Sequence, residues 1–296
     1  MFMRLSVIIP NYNGERLLPR LLPQILACLS TAPHTSEVIV ADDASTDSSI
    51  VMLQREFPLV RIVTGAANVG FGSNCNRGAS AAKGEYIAFV NSDIVLEGDP
   101  FAPLLAALEA TPDAFAAMPL VYAAPLKRVE NVQEIWISRG LPWLRAIPGM
   151  PVEDLSALQS VLAGTANETA LCGAFFVCRR DVFTKLGGFS PAFGRAYWED
   201  VDLGCRAKAL GMKTIIVPSV LVRHEHSQTM DAVLGDVGKR RRMLCNQAVF
   251  LRRNLASLKP VPNYRLYLLL RIPQRIISGD GCAIAPYLSL IFGKRA

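Results

Sequence analysis

The sequence predicts an α/β protein in which a mostly parallel sheet is wound with helices. Three observations carry that prediction. Leu5–Pro10 (LSVIIP) and Glu37–Ala41 (EVIVA) are short, unbroken apolar runs rich in β-branched residues, as strands buried on both faces must be. Between such runs lie segments with helical apolar spacing, joined by short loops. Polar residues collect where the strands end, at Asn11-Tyr12, Asp42-Asp43, Asn68 and Asn91-Ser92-Asp93. That is the edge of an open α/β sheet where ligands bind.

Each element has its own warrant. Leu5–Pro10 is the first strand and Asn11–Gly14 a turn. Leu17–Leu29 then carries apolar residues at 17, 18, 21, 22, 25, 26 and 29, a helical stripe that Pro23 interrupts. The strand Glu37–Ala41 ends in Asp42–Asp47, where Ser45 or Thr46 can cap the next helix and Asp47 enters its first turn. Val60–Val63 is a third strand. Asn68–Gly72 is a glycine-bearing turn into the small-residue helix Ser73–Ala82, and Glu85–Val90 is a fourth strand. Leu120–Thr169 reads as irregular, a lid or an acceptor-selecting loop containing Trp136 and Trp143. Glu199–Leu210 reads as a helix with apolar residues at 201, 203, 207 and 210. Lys213–Val217 and Ser219–Val222 read as strands leading to His224 and His226.

Composition narrows the class. With 51% hydrophobic residues in 296, the chain has material for a large core and is not a disordered protein. Seven scattered cysteines form no CxxC pair and no zinc spacing, and they read as reduced thiols. Met1–Ser6 shows no secretory pattern, and the longest apolar stretch, Cys282–Phe292, is too short to span a bilayer. The expectation is a cytoplasmic protein. Neither GxGxxG nor a P-loop lysine motif is present, which excludes the usual dinucleotide and P-loop modes.

Charge is uneven along the chain. From Thr229 to Ala296 twelve Lys/Arg face three Asp, whereas residues 1–228 have a net charge of −3. The tail interleaves Lys239-Arg240-Arg241-Arg242, Arg252-Arg253, Arg265, Arg271 and Arg275 with Leu and Ile, the pattern of an interfacial amphipathic helix. No nucleic-acid-binding module accompanies it, so nucleic acid is not an expected partner. Residues 229–296 are thus expected to contact the inner face of a membrane peripherally.

Two acidic clusters carry the chemistry. Asn91-Ser92-Asp93 follows the apolar run Tyr86–Val90, and Trp198-Glu199-Asp200-Val201-Asp202 opens a helix. A carboxylate at a strand end can hold a divalent metal against a leaving diphosphate, and a second pair can take a proton from an attacking hydroxyl. A single displacement with one base inverts configuration and needs no covalent nucleophile. His224 is a further candidate metal ligand.

The stretches SVIIPNYNG (6–14), EVIVADDASTD (37–47), ANVGFGSNCNRGASAAKGEYIAFVNSD (67–93) and GGFSPAFGRAYWEDVDLGCRAKALG (187–211) resemble the inverting family 2 glycosyltransferases of GT-A fold, with the rhamnosyltransferase-like branch most similar. The resemblance implies a GT-A domain over 1–228, with a nucleotide-binding half at 1–95 and an acceptor half at 96–228, followed by the helical tail 229–296. It implies that Pro10, Asn11 and Tyr12 lie against the nucleotide base and that Asp42 hydrogen-bonds the base edge. Asn68 and Gly70 would line the nucleoside and diphosphate region. Asp93 stands at the last position of the family's DxD motif, reduced here to Asn91-Ser92-Asp93, and would bind Mg²⁺ or Mn²⁺ with His224. Asp200 would be the base, with Glu199 as the substitute candidate. The donor would be a UDP-, dTDP- or GDP-sugar and the acceptor a lipid-linked saccharide of a cell-envelope polysaccharide. A sugar nucleotidyltransferase and a catalytically degenerate sugar-nucleotide-binding subunit are the alternatives.

Overall fold

The computed structural model describes residues 3–123, 128–138, 141–163, 168–225, 229–258, 264–277 and 284–292. His226 lies outside them.

The chain runs β1 (Met3–Asn11), α1 (Leu18–Ser30), β2 (Thr35–Asp42), α2 (Ser49–Glu56), β3 (Arg61–Thr64), α3 (Phe71–Ala81), β4 (Tyr86–Val90), β5 (Ile94–Leu96) and α4 (Phe101–Ala110). It continues with β6 (Ala114–Ala123), β7 (Arg128–Val129), β8 (Gln133–Ser138), β9 (Leu141–Ala146), α5 (Leu155–Leu162), β10 (Phe175–Arg179) and α6 (Arg180–Lys185). A 3-10 turn at Pro191–Phe193 precedes α7 (Glu199–Ala209), β11 (Lys213–His224), α8 (Thr229–Leu258), α9 (Tyr264–Ile277) and α10 (Ile284–Phe292).

One nine-stranded sheet organises the body in the order β3-β2-β1-β4-β10-β6-β11-β5, with β7 pairing β6. The β1–β2, β2–β3, β1–β4 and β6–β11 pairs are parallel; β10 and β5 run antiparallel to their neighbours. Winding outward from β1 to β3 and then returning to β4 beside β1 reverses the strand order. A crevice opens at such a reversal, here between the ends of β1 and β4.

The pleat of β1 explains why its sequence is apolar throughout. Leu5, Val7 and Ile9 face the layer that holds α1, α2 and α4, and Ile8 faces the layer that holds α3, α5, α6 and α7; all four are fully buried. Burying each such side chain contributes about 1.5–3 kcal/mol. Pro23 is accommodated inside α1, which runs unbroken to Ser30.

Two regions differ from expectation. The stretch expected to be irregular contains β7, α5 and the hairpin β8–β9, which pairs Gln133 with Ala146 and Trp136 with Trp143. Arg145 lies 4.6 Å over the Trp136 ring. The two strands expected after Lys213 are one, β11, with a register irregularity between Val217 and Leu221 where Pro218 removes a ladder donor.

Helix α8 packs on α7, β9 and the 3-10 turn. It shares an apolar cluster with Leu141 of the hairpin, Leu268 of α9, and Tyr287 and Leu290 of α10. The basic tail therefore begins as part of the folded body. No helix among the described residues is long and apolar enough to cross a membrane.

Candidate active site

The crevice at the strand reversal deepens into a cleft of about 720 Å³. Pro10, Asn11 and Tyr12 from the end of β1 line it, as do Asn68 and Gly70 before α3, Asn91–Asp93 after β4, Glu199 and Asp200 at the start of α7, and His224 at the end of β11. Ten of the eleven residues singled out in the sequence thus converge on one cleft from five separate segments. Asp42 is the exception. Its carboxylate accepts from Asn11 Nδ2 at 2.8 Å and from Ser45 N at 3.0 Å, inside the loop rather than facing the cleft.

Asp43 takes the cleft position instead. It is buried, accepts from Val69 N at 3.0 Å and Gly70 N at 2.8 Å, and pairs with Arg77 at 3.5 Å. Gly70 is required here twice over. Its φ is +92°, and a Cβ would stand 2.3 Å from Arg195 Cα, so only glycine lets the two loops touch. Phe71 N donates to Arg195 O across that contact at 2.9 Å.

On the β4 side, Asn91 N donates to Ala174 O at 3.0 Å and Glu225 N to Asp93 O at 3.0 Å, tying the turn to β10 and β11. His224 Nε2 lies 3.2 Å from Asp93 Oδ1, and its Nδ1 lies 3.5 Å from Glu130 Oε2. Burial works against the imidazolium, but the hydrogen bonds with Asp93 and Glu130 outweigh it and raise the pKa to about 9. Asn91 Oδ1 is buried without a hydrogen-bond partner. Among the described residues no three His, Cys, Asp or Glu side chains are grouped to hold a metal by themselves.

Glu199 and Asp200 enter the cleft from a strained turn. Tyr197 and Trp198 have φ of +76° and +75°, the left-handed region, immediately before α7. Asn246 of α8 holds that turn, its Nδ2 donating to Phe193 O at 2.8 Å, Ala196 O at 2.6 Å and Tyr197 O at 3.0 Å. Trp198 packs on Phe250 of the same helix, with centroids 4.8 Å apart. Asp202, fully buried, receives Arg206 at 2.8 Å, Arg253 at 3.0 Å and Asn254 at 3.0 Å.

The two acids differ in surroundings. Asp200 accepts from Gly173 N at 2.7 Å and Val201 N at 2.8 Å, and a Cβ on Gly173 would press on its Oδ2 at 3.1 Å. Glu199 is 5% exposed and its Oε2 has no partner. Burial, reinforced by Asp200, pushes its pKa up to about 8. Burial raises Asp200 as well, but the amide donors oppose the shift by favouring the carboxylate.

The cleft has a roof that the sequence reading did not assign. Trp143 and Leu144 of β9 and Lys239, Met243 and Gln247 of α8 line it, with Arg195 beside them. Only Trp143 carried a usable signal, as an aromatic in a segment already linked to acceptor binding.

A wound, mostly parallel sheet whose strand-end crevice carries these acids defines the class: a GT-A glycosyltransferase fold. Solved structures agree. GalNAc-T7 with UDP, GalNAc and Mn²⁺ superposes with a TM-score of 0.64 at 16% identity, covering 95% of this chain and 58% of that one. A mannosyltransferase from Pyrobaculum calidifontis in complex with GDP-Man and Mn²⁺ gives 0.57 at 18%, covering 97% and 83%. The model of glycosyl transferase family 2 matches residues 6–187, and the chain belongs to that family. The N-acetylglucosaminyl-diphospho-decaprenol L-rhamnosyltransferase of Mycobacterium tuberculosis is 26% identical over 234 residues, covering 70% of this chain and 73% of that protein. An uncharacterized glycosyltransferase of Nostoc is 40% identical over 97 residues, 31% of this chain and 29% of its own. The O-antigen biosynthesis protein RfbC of Myxococcus xanthus is 25% identical over 235 residues, 78% of this chain and 18% of its own. The chain thus spans under a third of the length of the latter two relatives.

Proposed function

We propose that this chain transfers a sugar from a nucleoside-diphosphate donor to a hydroxyl of a lipid-linked saccharide, with inversion, in the assembly of a cell-envelope polysaccharide. The mycobacterial relative makes rhamnose the first sugar to test. One observation carries the reading: Asp200 at the start of α7 lines the same cleft as Asp93 and His224 at the sheet's edge. Pro10, Asn11, Tyr12, Asn68 and Asp43 form the nucleoside end, and Asp42 supports it indirectly by fixing Asn11.

The residues at the β4 edge fit a hard divalent ion. Asn91 Oδ1 is a buried oxygen lacking a partner, and Asp93, Glu130 and His224, which pair with one another, line the same cleft, an oxygen-rich set. Asp93 would hold Mg²⁺ or Mn²⁺ with Asn91 assisting, and His224 would join them as the neutral imidazole, giving up its proton to the ion's binding. When bound, the ion supplies Lewis-acid stabilisation of the leaving diphosphate.

The chain's own part is proton transfer and positioning. Asp200, whose two oxygens each accept from a backbone amide, takes the acceptor hydroxyl's proton at its carboxylate in the cleft. Glu199, raised to about 8, stays protonated near neutrality and so adds no second negative charge beside Asp200. Residues 1–228 would form the catalytic domain, with α8 completing it, and the tail would keep the protein peripherally on the inner membrane face.

A donor screen tests this reading. A thermal shift with one of the UDP-, dTDP- or GDP-sugars, abolished by EDTA, is the expected result. Asp200→Asn is expected to keep that shift while losing about 10²–10⁴-fold in transfer rate. Full activity in Asp200→Asn overturns the assignment of the base, and a shift with no turnover by the wild type favours a binding subunit.

A further inference from the structure

We propose that the roof of the cleft is a subsite for the acceptor's sugar ring, with Trp143 stacking on the ring and the Gln247 amide bonding one of its hydroxyls; this rests on the glycosyltransferase reading of the cleft. Lys239, Met243 and Gln247 stand four residues apart on α8, so they form one stripe, and all three line the cleft. The stripe runs inward: Met243 is 39% exposed and Gln247 only 1%. At its inner end Gln247 Oε1 is buried without a hydrogen-bond partner. A buried amide oxygen left unpaired costs stability, and a ligand that completes it in the working state explains why it is kept.

Trp143 supplies the other half of a sugar site. It lies two residues beyond Leu141 on β9, on the same face of the strand, and Leu141 shares an apolar cluster with Leu244 and Ala248 of α8. Trp143 therefore stands on an element packed against the helix that carries Gln247, and it lines the same cleft while 37% exposed. A sugar ring has apolar C–H faces and a rim of hydroxyls. An open indole takes the face. A hydroxyl both donates and accepts, so it satisfies a buried amide whichever way that amide is turned. A wholly apolar ligand would leave Gln247 unpaired, and an anion finds no charge on either side chain.

Position gives the ring to the acceptor rather than to the donor. The nucleoside and diphosphate ends of the cleft are built from β1, the loop before α3, the turn after β4 and His224, all outside α8 and β9. In a single displacement the incoming oxygen approaches opposite the leaving diphosphate, so the acceptor needs a wall that the donor does not use. Gln247 is also tied to the base. The preceding residue, Asn246, donates to Tyr197 O at 3.0 Å, and Tyr197 stands three residues before Asp200. A ring held by Gln247 is thus held in fixed relation to the carboxylate that takes its proton, and such orientation raises the rate.

The test is the tryptophan fluorescence of the full chain, titrated with the methyl glycosides of glucose, galactose, N-acetylglucosamine and rhamnose. Wild type is expected to bind at least one, with a change in emission that Trp143→Phe abolishes. Gln247→Met, unbranched and of nearly the same length, is expected to weaken that glycoside about tenfold, as the loss of one hydrogen bond should. It is also expected to melt no lower than wild type, because it removes an unpaired buried atom. No response to any glycoside, a response that survives Trp143→Phe, or wild-type affinity in Gln247→Met would each overturn the proposal. A lower melting temperature in Gln247→Met would overturn it too, by making the amide part of the fold. The nucleotide-sugar thermal shift reads the donor separately and is expected to be unchanged in Gln247→Met; its loss there would give the ring to the donor and overturn the acceptor assignment. A wild type that binds a glycoside but shifts with no nucleotide-sugar would support the subsite and count against the catalytic reading alone.

Discussion

Glu199 and Asp200 are sequence neighbours with opposite surroundings, and one bond apart in sequence decides their chemistry. Asp200 reaches two backbone N–H groups; Glu199 is buried with an unpartnered oxygen. Holding Glu199 in that site costs stability whenever it is charged. Its folded pKa of about 8 lies above the ordinary 4.5, so the protonated form is the one the fold favours. The contribution is fully present below about 4.5 and is lost as pH rises through about 8. Glu199→Gln, neutral at every pH, removes this term. Thermal denaturation of both proteins between about pH 5 and pH 9 should show the wild type losing ground to the variant as pH rises. A constant difference across that range would mean that Glu199 is ionised in the fold. The same scale shows why Asp43 could not be picked out beside Asp42 from the sequence. Side chains at successive strand residues face opposite ways, so the end of β2 decides which acid meets the cleft, and composition is blind to that.

At the scale of elements, α8 is the piece whose role the sequence hid. Its positions 244, 248 and 251 bury one stripe, while 246, 250 and 254 bury another against the turn before α7. Two buried stripes and a basic outer edge average to a weak amphipathic signal, so the segment read as a solvated or interfacial helix. The strands were legible for the contrary reason: β1, β2 and β4 are buried on both faces and cannot be anything but continuous apolar runs. The β8–β9 hairpin was not, because its residues are mostly half-exposed and Pro142 and its two tryptophans break the alternation. Asn246 concentrates the function of α8 in a single side chain. It satisfies three carbonyls of a turn that holds two consecutive non-glycine residues at positive φ. Asn246→Ala leaves those carbonyls buried and unpaired, at a cost on the order of 2–3 kcal/mol. Urea unfolding measures this directly. A loss under about 0.5 kcal/mol would show that the turn holds itself.

At the scale of the whole molecule, the charge boundary near residue 228 is not a structural boundary. The acidic body and the basic tail meet at a buried ion cluster, where Asp202 of α7 takes Arg253 and Asn254 from α8. Ending the chain at Gln228 strips those partners from a fully buried carboxylate and leaves Arg206 alone with it. Removing one partner from a buried pair costs about 3–5 kcal/mol. It also removes Phe250 and Leu251, both fully buried, at about 1.5–3 kcal/mol each. Such losses together rival the whole stability of a domain, about 5–15 kcal/mol. A chain ended at Gln228 is therefore expected to show no cooperative thermal transition. One ended at Leu258 keeps α8 and gives up only the α9–α10 packing on it, so it should still unfold cooperatively, at a lower temperature. Calorimetry of the two truncations separates the cases: cooperative unfolding of the shorter one would make α8 an appendage, and the roof of the cleft would then be dispensable to the fold that carries Asp200.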